Sequence, residues 1–147
     1  MAVILLEDTQ ELIMVRQYRA GADMYLLDCP AGMREGNEDP QGAVIREVME
    51  ETGYEAKSIQ HIFHTALSPG AYTEVSDIYF IRTDSKMKTG KGGGLTVESE
   101  EIEVFKIPVN EVIQMIHPDY LGHQKIIDAK TISAIQWLEN DYLKMIE

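Results

Sequence analysis

Apolar residues recur along this chain at two different periods. Alternating or β-branched runs at Ala2–Leu6, Glu11–Tyr18, Tyr25–Cys29, Ser58–Ala66, Glu74–Arg82 and Ile102–Ile107 predict six strands. Three other stretches predict helices. Pro40–Thr52 has helical spacing, with Asp39 as N-cap, Pro40 at the first helical position and Gly53 just past the end. Val109–Ile116 follows Pro108 and stops before Pro118. His123–Lys144 is a long amphipathic stretch in which Ile127, Ile132, Ile135, Trp137 and Leu138 are expected to cover the core. Strands, a helix, more strands and then two helices suit an α/β fold with a mixed sheet flanked by helices. Neither a repeat nor a linker interrupts the pattern, so one domain over 1–147 is expected.

One long irregular stretch, Thr83–Ser99, carries Gly90 and Gly92-Gly93-Gly94 among lysines and acids. It reads as a mobile loop, either a surface excursion or a lid over a site. It is not a phosphate-binding P-loop, because no GK[ST] follows at the required spacing.

Charge narrows the choice of partner. Twenty-five acids against 13 lysines and arginines give a formal net charge of −12, which repels polyphosphate backbones and disfavours nucleic acid or an anionic membrane. A small anionic substrate would then need a cation to help it bind. No apolar stretch is long enough to span a bilayer, and the short apolar start runs into Glu7 and Asp8 without a basic flank, so a soluble chain without a signal peptide is expected. The lone Cys29 allows no internal disulfide, fits a reducing, cytoplasmic compartment and reads as a small buried hydrophobe.

The acids that carry chemistry lie in Gly32–Tyr54, GMREGNEDPQGAVIREVMEETGY. At about 100° per residue, Glu47, Glu50 and Glu51 share one helical face, with Val44, Ile45, Val48 and Met49 toward the other. Like charges three and four residues apart repel, and acids late in a helix oppose its dipole, so a purely structural helix gains nothing from them. A divalent metal reverses that sign, and hard oxygen donors suit Mg²⁺ or Mn²⁺. The alternative is a solvated acidic face. Arg46 can pair with Glu50 one turn on, or reach Glu38 and hold it.

The full pattern resembles the Nudix box: a glycine, five residues, a glutamate, seven residues, Arg-Glu, an apolar residue, any residue, Glu-Glu, any residue, glycine and an apolar residue. Here these are Gly32, Glu38, Arg46, Glu47, Val48, Glu50, Glu51, Gly53 and Tyr54. With average residue usage, its fixed positions coincide by chance on the order of once in 10⁸ registers. The resemblance implies the Nudix fold, an α/β/α sandwich with a mixed β-sheet, and metal-dependent hydrolysis of a diphosphate. It also implies that Glu47, Glu51, Glu50 and the carbonyl of Ala31 ligate the metal, with Glu50 either a ligand or a holder of metal-bound water. A metal there would neutralise the diphosphate and lower the pKa of the attacking water.

Outside the box the resemblance continues. Pro69, sixteen positions after Gly53, matches the marker that separates ADP-ribose pyrophosphatases from MutT-type triphosphatases. By the same resemblance Glu98, with Glu100 second, orients or deprotonates the water. Arg19, Arg16, Glu74, Pro69 and Met33 are expected at the substrate, with Arg19 favoured over Arg16 for the terminal phosphate, and Asp128, Lys130 and Thr131 match the last helix. The expected reaction is ADP-ribose to AMP and ribose 5-phosphate. Next comes GDP-mannose or another nucleotide sugar, since the glycine run followed by acids and Ile-Glu-Val looks like that branch, and then a MutT-like triphosphatase. A sensor that binds without cutting is the reading from a different class, opposed by the intact Glu47, Glu50 and Glu51. Relatives of this branch carry an N-terminal stretch that helps form a homodimer and part of the base pocket, whereas this chain begins at its first core strand. His61 and His64 are expected on opposite faces of a strand and, like His117 and His123, are assigned no chemistry.

Overall fold

The computed structural model describes residues 1–94 and 101–142. Six strands form one sheet: β1 (Ala2–Leu6), β2 (Glu11–Arg19), β3 (Met24–Asp28), β4 (Ser58–Ala66), β5 (Val75–Thr83) and β6 (Glu103–Pro108). Three α-helices accompany them: α1 (Pro40–Thr52), α2 (Val109–Ile116) and α3 (Ala129–Trp137). β1 runs antiparallel to β2 and parallel to β5, and β4 pairs antiparallel with β5. β2 also pairs antiparallel with β3 through Val15–Arg19 and with β6 through Glu11–Arg16.

Alternation along the strands divides the interior in two. Val3 and Leu5 of β1, Leu12 and Met14 of β2, and Ile78 and Phe80 of β5 pack with Val112 and Ile113 of α2 and Ile135 of α3. Ala2, Ile4 and Leu6, Ile13, and Tyr79 and Ile81 face the other way, onto Val44 and Val48 of α1. The sheet is therefore the middle layer of an α/β/α sandwich. β1, covered on both faces, is consequently apolar at every position.

The strands follow the predicted runs to within a residue at their ends, but the last helix does not. It begins at Ala129, where the Asp128 carboxylate accepts the Thr131 N–H at 2.8 Å, and it passes into a π turn over Leu138–Tyr142. The residues before it dock on α2 instead: the Ile126 N–H donates to the Met115 carbonyl, and Ile126 is buried while Ile127 is exposed. The core contact expected of Ile127 belongs to Ile126.

Of the long irregular stretch expected as a mobile loop, residues 83–94 are described and residues 95–99 lie outside the described residues. Ser85–Met87 forms a 3₁₀ turn, Lys88 bridges to Tyr54, and residues 89–94 lie on the end of α1. No helix among the described residues is long and apolar enough to cross a membrane.

Candidate active site

The acidic helix is set in place from both ends. Asp39 accepts the N–H groups of Gln41 and Gly42 at 3.1 Å, and Gly53, at φ +77°, closes the C-terminus with its N–H on the Met49 carbonyl. Ala43, Val44, Val48 and Thr52 form the buried face, and Glu51 lies within it at 2% exposure. Ile45, expected beside them, is 42% exposed, because that face turns toward solvent rather than toward the sheet.

Burying a carboxylate demands compensation. One Glu51 oxygen accepts the Ala31 N–H at 3.1 Å. The neighbouring Gly32 lets a second carboxylate in: a Cβ there would stand 1.8–2.2 Å from the Glu47 carboxyl atoms. Glu47 and Glu51 thus converge on the Ala31–Gly32 backbone, where no side chain but glycine's leaves room.

Arg46 holds the remaining acids. It donates to both Glu38 oxygens at 3.1 Å, to Glu47 at 2.9 Å, to Glu50 at 3.0 Å and to the Met33 carbonyl at 3.1 Å. Both pairings expected of Arg46, with Glu50 and with Glu38, are made at once. The hydrogen bonds to Glu38, then the one to Glu47, push the guanidinium pKa up against desolvation, and the same contact with Arg46 holds the Glu38 carboxyl below its ordinary value.

Carboxylates and a backbone carbonyl are the donor set of a hard divalent ion. The space at Gly32, filled by Glu47, fits this group, because it brings a carboxylate against the backbone that bears the Ala31 carbonyl. Among the described residues no three His, Cys, Asp or Glu side chains stand close enough to share one ion. Glu47 and Glu50 are instead held by Arg46.

Beside this backbone opens a cavity of about 710 Å³, lined by Ala31, Gly32, Met33, Arg19, Asp28 and Glu74 among others. Of the two arginines on β2, Arg19 faces it and forms an ion pair with Asp28, whose carboxylate accepts from Nε at 3.0 Å and lies 3.0 Å from Nη2. Arg16 does not reach the cavity. It lies on the opposite face of β2, paired with Glu103 at 3.1 Å and stacked over Tyr25. Glu74 lies at the cavity wall with Lys130 3.3 Å away, and Met33 is 86% exposed at the rim. Pro69 is exposed in the turn after β4, away from the cavity lining. Glu98 and Glu100 lie outside the described residues.

The histidines differ from expectation. His61 Nε2 and His64 Nδ1 both bond one Asp77 oxygen at 3.0 Å, so they share a side of β4. A bulge between His61 and Phe63 inserts one residue and reverses the alternation there.

Among the cavity residues not foreseen as site residues are Asp28 and Lys130. A lone aspartate ending an apolar strand, nine positions from an arginine across a hairpin, is the signal that points to Asp28. Its Oδ1 is buried without a hydrogen-bond partner among the described residues, and burial, opposed by Arg19, raises its pKa. Cys29 is buried as expected, its thiol pKa pushed up to about 12 by desolvation.

Comparison with known proteins identifies the family and the fold. A family model for the NUDIX domain matches residues 1–130. Over 138 residues the chain is 32% identical to the methanol dehydrogenase activator of Bacillus methanolicus, covering 94% of this chain and 70% of that one. It is 31% identical over 140 residues to the GDP-mannose pyrophosphatase of Klebsiella pneumoniae, covering 91% and 67% respectively. A solved structure described as an ADP compounds hydrolase superposes with a TM-score of 0.75 at 20% identity, over 99% of this chain and 72% of the other, a likeness of fold.

Proposed function

The chain belongs to the NUDIX family of hydrolases, and from that premise we propose that it splits the diphosphate of a nucleoside diphosphate sugar with the help of Mg²⁺ or Mn²⁺. The observation that carries this reading is the convergence of Glu47 and Glu51 on the Ala31–Gly32 backbone beside a cavity of nucleotide-sugar size.

Glu47, Glu51, Glu50 and the Ala31 carbonyl would hold the metal, which when bound supplies charge neutralisation at the diphosphate and a more acidic water. Arg46 keeps the carboxylates of Glu47 and Glu50 from repelling one another and fixes where they point. Arg19, held by Asp28, presents a guanidinium to a phosphate oxygen from the cavity wall, and its planar fork suits that contact better than a lysine would. Lys130 adds a second cation, balanced by Glu74. Glu98 remains the residue proposed to orient or deprotonate the attacking water, with Glu100 second. A homodimer is carried over from the family in the same way.

For the sugar, the relatives named GDP-mannose pyrophosphatase favour GDP-mannose, giving GMP and mannose 1-phosphate, over the ADP-ribose read from the Pro69 marker. The exposed position of Pro69, outside the cavity lining, weakens that marker as a substrate contact. The test is phosphate release, coupled to a phosphatase, from GDP-mannose, ADP-ribose, other nucleotide sugars and dNTPs with Mg²⁺ or Mn²⁺. Metal-dependent turnover of one nucleotide sugar that Glu51→Gln abolishes supports the reading. Turnover confined to dNTPs overturns the substrate class, and tight binding of a nucleotide sugar without turnover favours a sensor.

A further inference from the structure

The last turn of α1 poses an electrostatic problem. A helix C-terminus exposes unsatisfied carbonyls with partial negative charge, and here that turn also carries the carboxylates of Glu50 and Glu51. The answer comes from the chain after β5. The Gly94 N–H donates to the Glu50 carbonyl at 3.1 Å and the Gly93 N–H to the Glu51 carbonyl at 2.7 Å, while the N–H groups of Thr89 and Gly90 donate to the Gly53 carbonyl. Each acid of the terminal pair therefore has its own carbonyl covered by a glycine amide.

This contact is backbone against backbone, which is why glycine is required. A Cβ on Gly92 would stand 2.7 Å from the Thr52 carbonyl carbon, 2.8 Å from its oxygen and 3.0 Å from the Glu51 oxygen. None of those atoms is the end of a flexible side chain, and Gly92 has φ +70°. An L-residue at 92 meets both the collision and the strain.

We propose that Gly92–Gly94 form a positioning element for the metal: their backbone fixes the last turn of α1, and with it where Glu50 and Glu51 stand relative to Glu47. This rests on the reading of Glu47, Glu50 and Glu51 as metal ligands. The glycines touch neither metal nor substrate, and they act through the carbonyls of the residues that do. Groups that orient metal ligands from behind typically contribute 10- to 100-fold to metal affinity.

The test is Mn²⁺ binding to the full chain without nucleotide, read by electron paramagnetic resonance of the free ion well below the melting temperature. Gly92→Ala should weaken Mn²⁺ about tenfold. Gly93→Ala, whose Cβ would meet nothing nearer than 3.8 Å but whose φ is +97°, is the milder variant and should weaken it less, which keeps the test alive should Gly92→Ala fail to fold. Ile135→Val, a core change in α3 far from α1, should lower the melting temperature without moving Mn²⁺ affinity, separating positioning from general loosening. Should Glu51→Gln bind Mn²⁺ like the parent, the metal reading fails and the proposal with it. Loss of binding in Glu51→Gln with parental affinity in both glycine variants overturns the positioning role alone.

Discussion

Replacing Gly32 by alanine tests the geometry on which the site depends. The new Cβ would lie 1.8 Å from the Glu47 carboxyl carbon and about 2 Å from its oxygens, so these atoms cannot stay where they are. To regain ordinary contact the carboxylate must retreat by roughly 2 Å. The obstacle is the end of a flexible side chain and Gly32 has no positive φ, so the backbone can accept alanine and the fold should survive with little loss of stability. The cost falls on chemistry instead. Misplacing a catalytic group by about 1 Å typically costs about 100-fold in rate, or about 2.7 kcal/mol in the barrier. Gly32→Ala is therefore expected to lower kcat for a nucleotide sugar by about 100-fold, with the melting temperature within a few degrees of the parent. Gly70→Ala, where an added Cβ meets nothing within 4 Å, should match the parent in both. Steady-state phosphate release and a thermal melt decide the matter. Parental turnover by Gly32→Ala would refute the claim that Glu47 must lie against this backbone, and loss of activity caused by unfolding would refute the claim that the clash is absorbed by the side chain.

Three further outcomes follow from other contacts. Arg46→Ala leaves Glu38, Glu47 and Glu50 facing one another without their shared cation; it should lose about 1–2 kcal/mol in urea unfolding, the range reduced for partial exposure, and Mg²⁺ should restore more stability to the variant than to the parent. No greater response to Mg²⁺ than the parent's would count against the acids as ligands. Asp28 has its pKa raised by burial, an effect Arg19 opposes and Asp128 reinforces, so its stabilising contribution is complete below its ordinary value of about 3.8 and is lost as pH rises through the folded value. Asp28→Asn should accordingly melt higher than the parent at pH 7, with the gap closing toward pH 4, while its activity falls because Arg19 loses its anchor; a lower melting temperature at pH 7 would show that the ion pair outweighs burial. Asp128→Ala removes the N-cap of α3 and should cost about 1 kcal/mol in urea unfolding with the m-value unchanged, whereas an unchanged midpoint would mean that the α3 end is held by other contacts.

What the sequence disclosed and what it hid divide along one physical line. Strands and α1 were legible because their signals are local: alternation for the sheet, and Asp39, Pro40 and Gly53 for the ends of the helix. The acidic face was legible because Glu47, Glu50 and Glu51 violate what a helix alone prefers, and a violated preference asks for a partner. Contacts between distant segments left weaker traces. The amphipathic pattern from His123 onward continues the period of α3, yet the helix waits for Asp128 because Ile126 is drawn onto the end of α2. One inserted residue in β4 turned His61 and His64 to the same side, and alternation has no means of showing a bulge. The glycine run is the sharpest case. Composition reads Gly90 and Gly92–Gly94 as freedom of movement, whereas the structure uses the missing Cβ atoms to bring two backbones within hydrogen-bonding distance. The same property, absence of a side chain, permits both mobility and close approach, and only the partner surface decides between them. Here that partner is the end of the helix bearing the acids, so a segment that composition marks as slack is placed where it can govern the site.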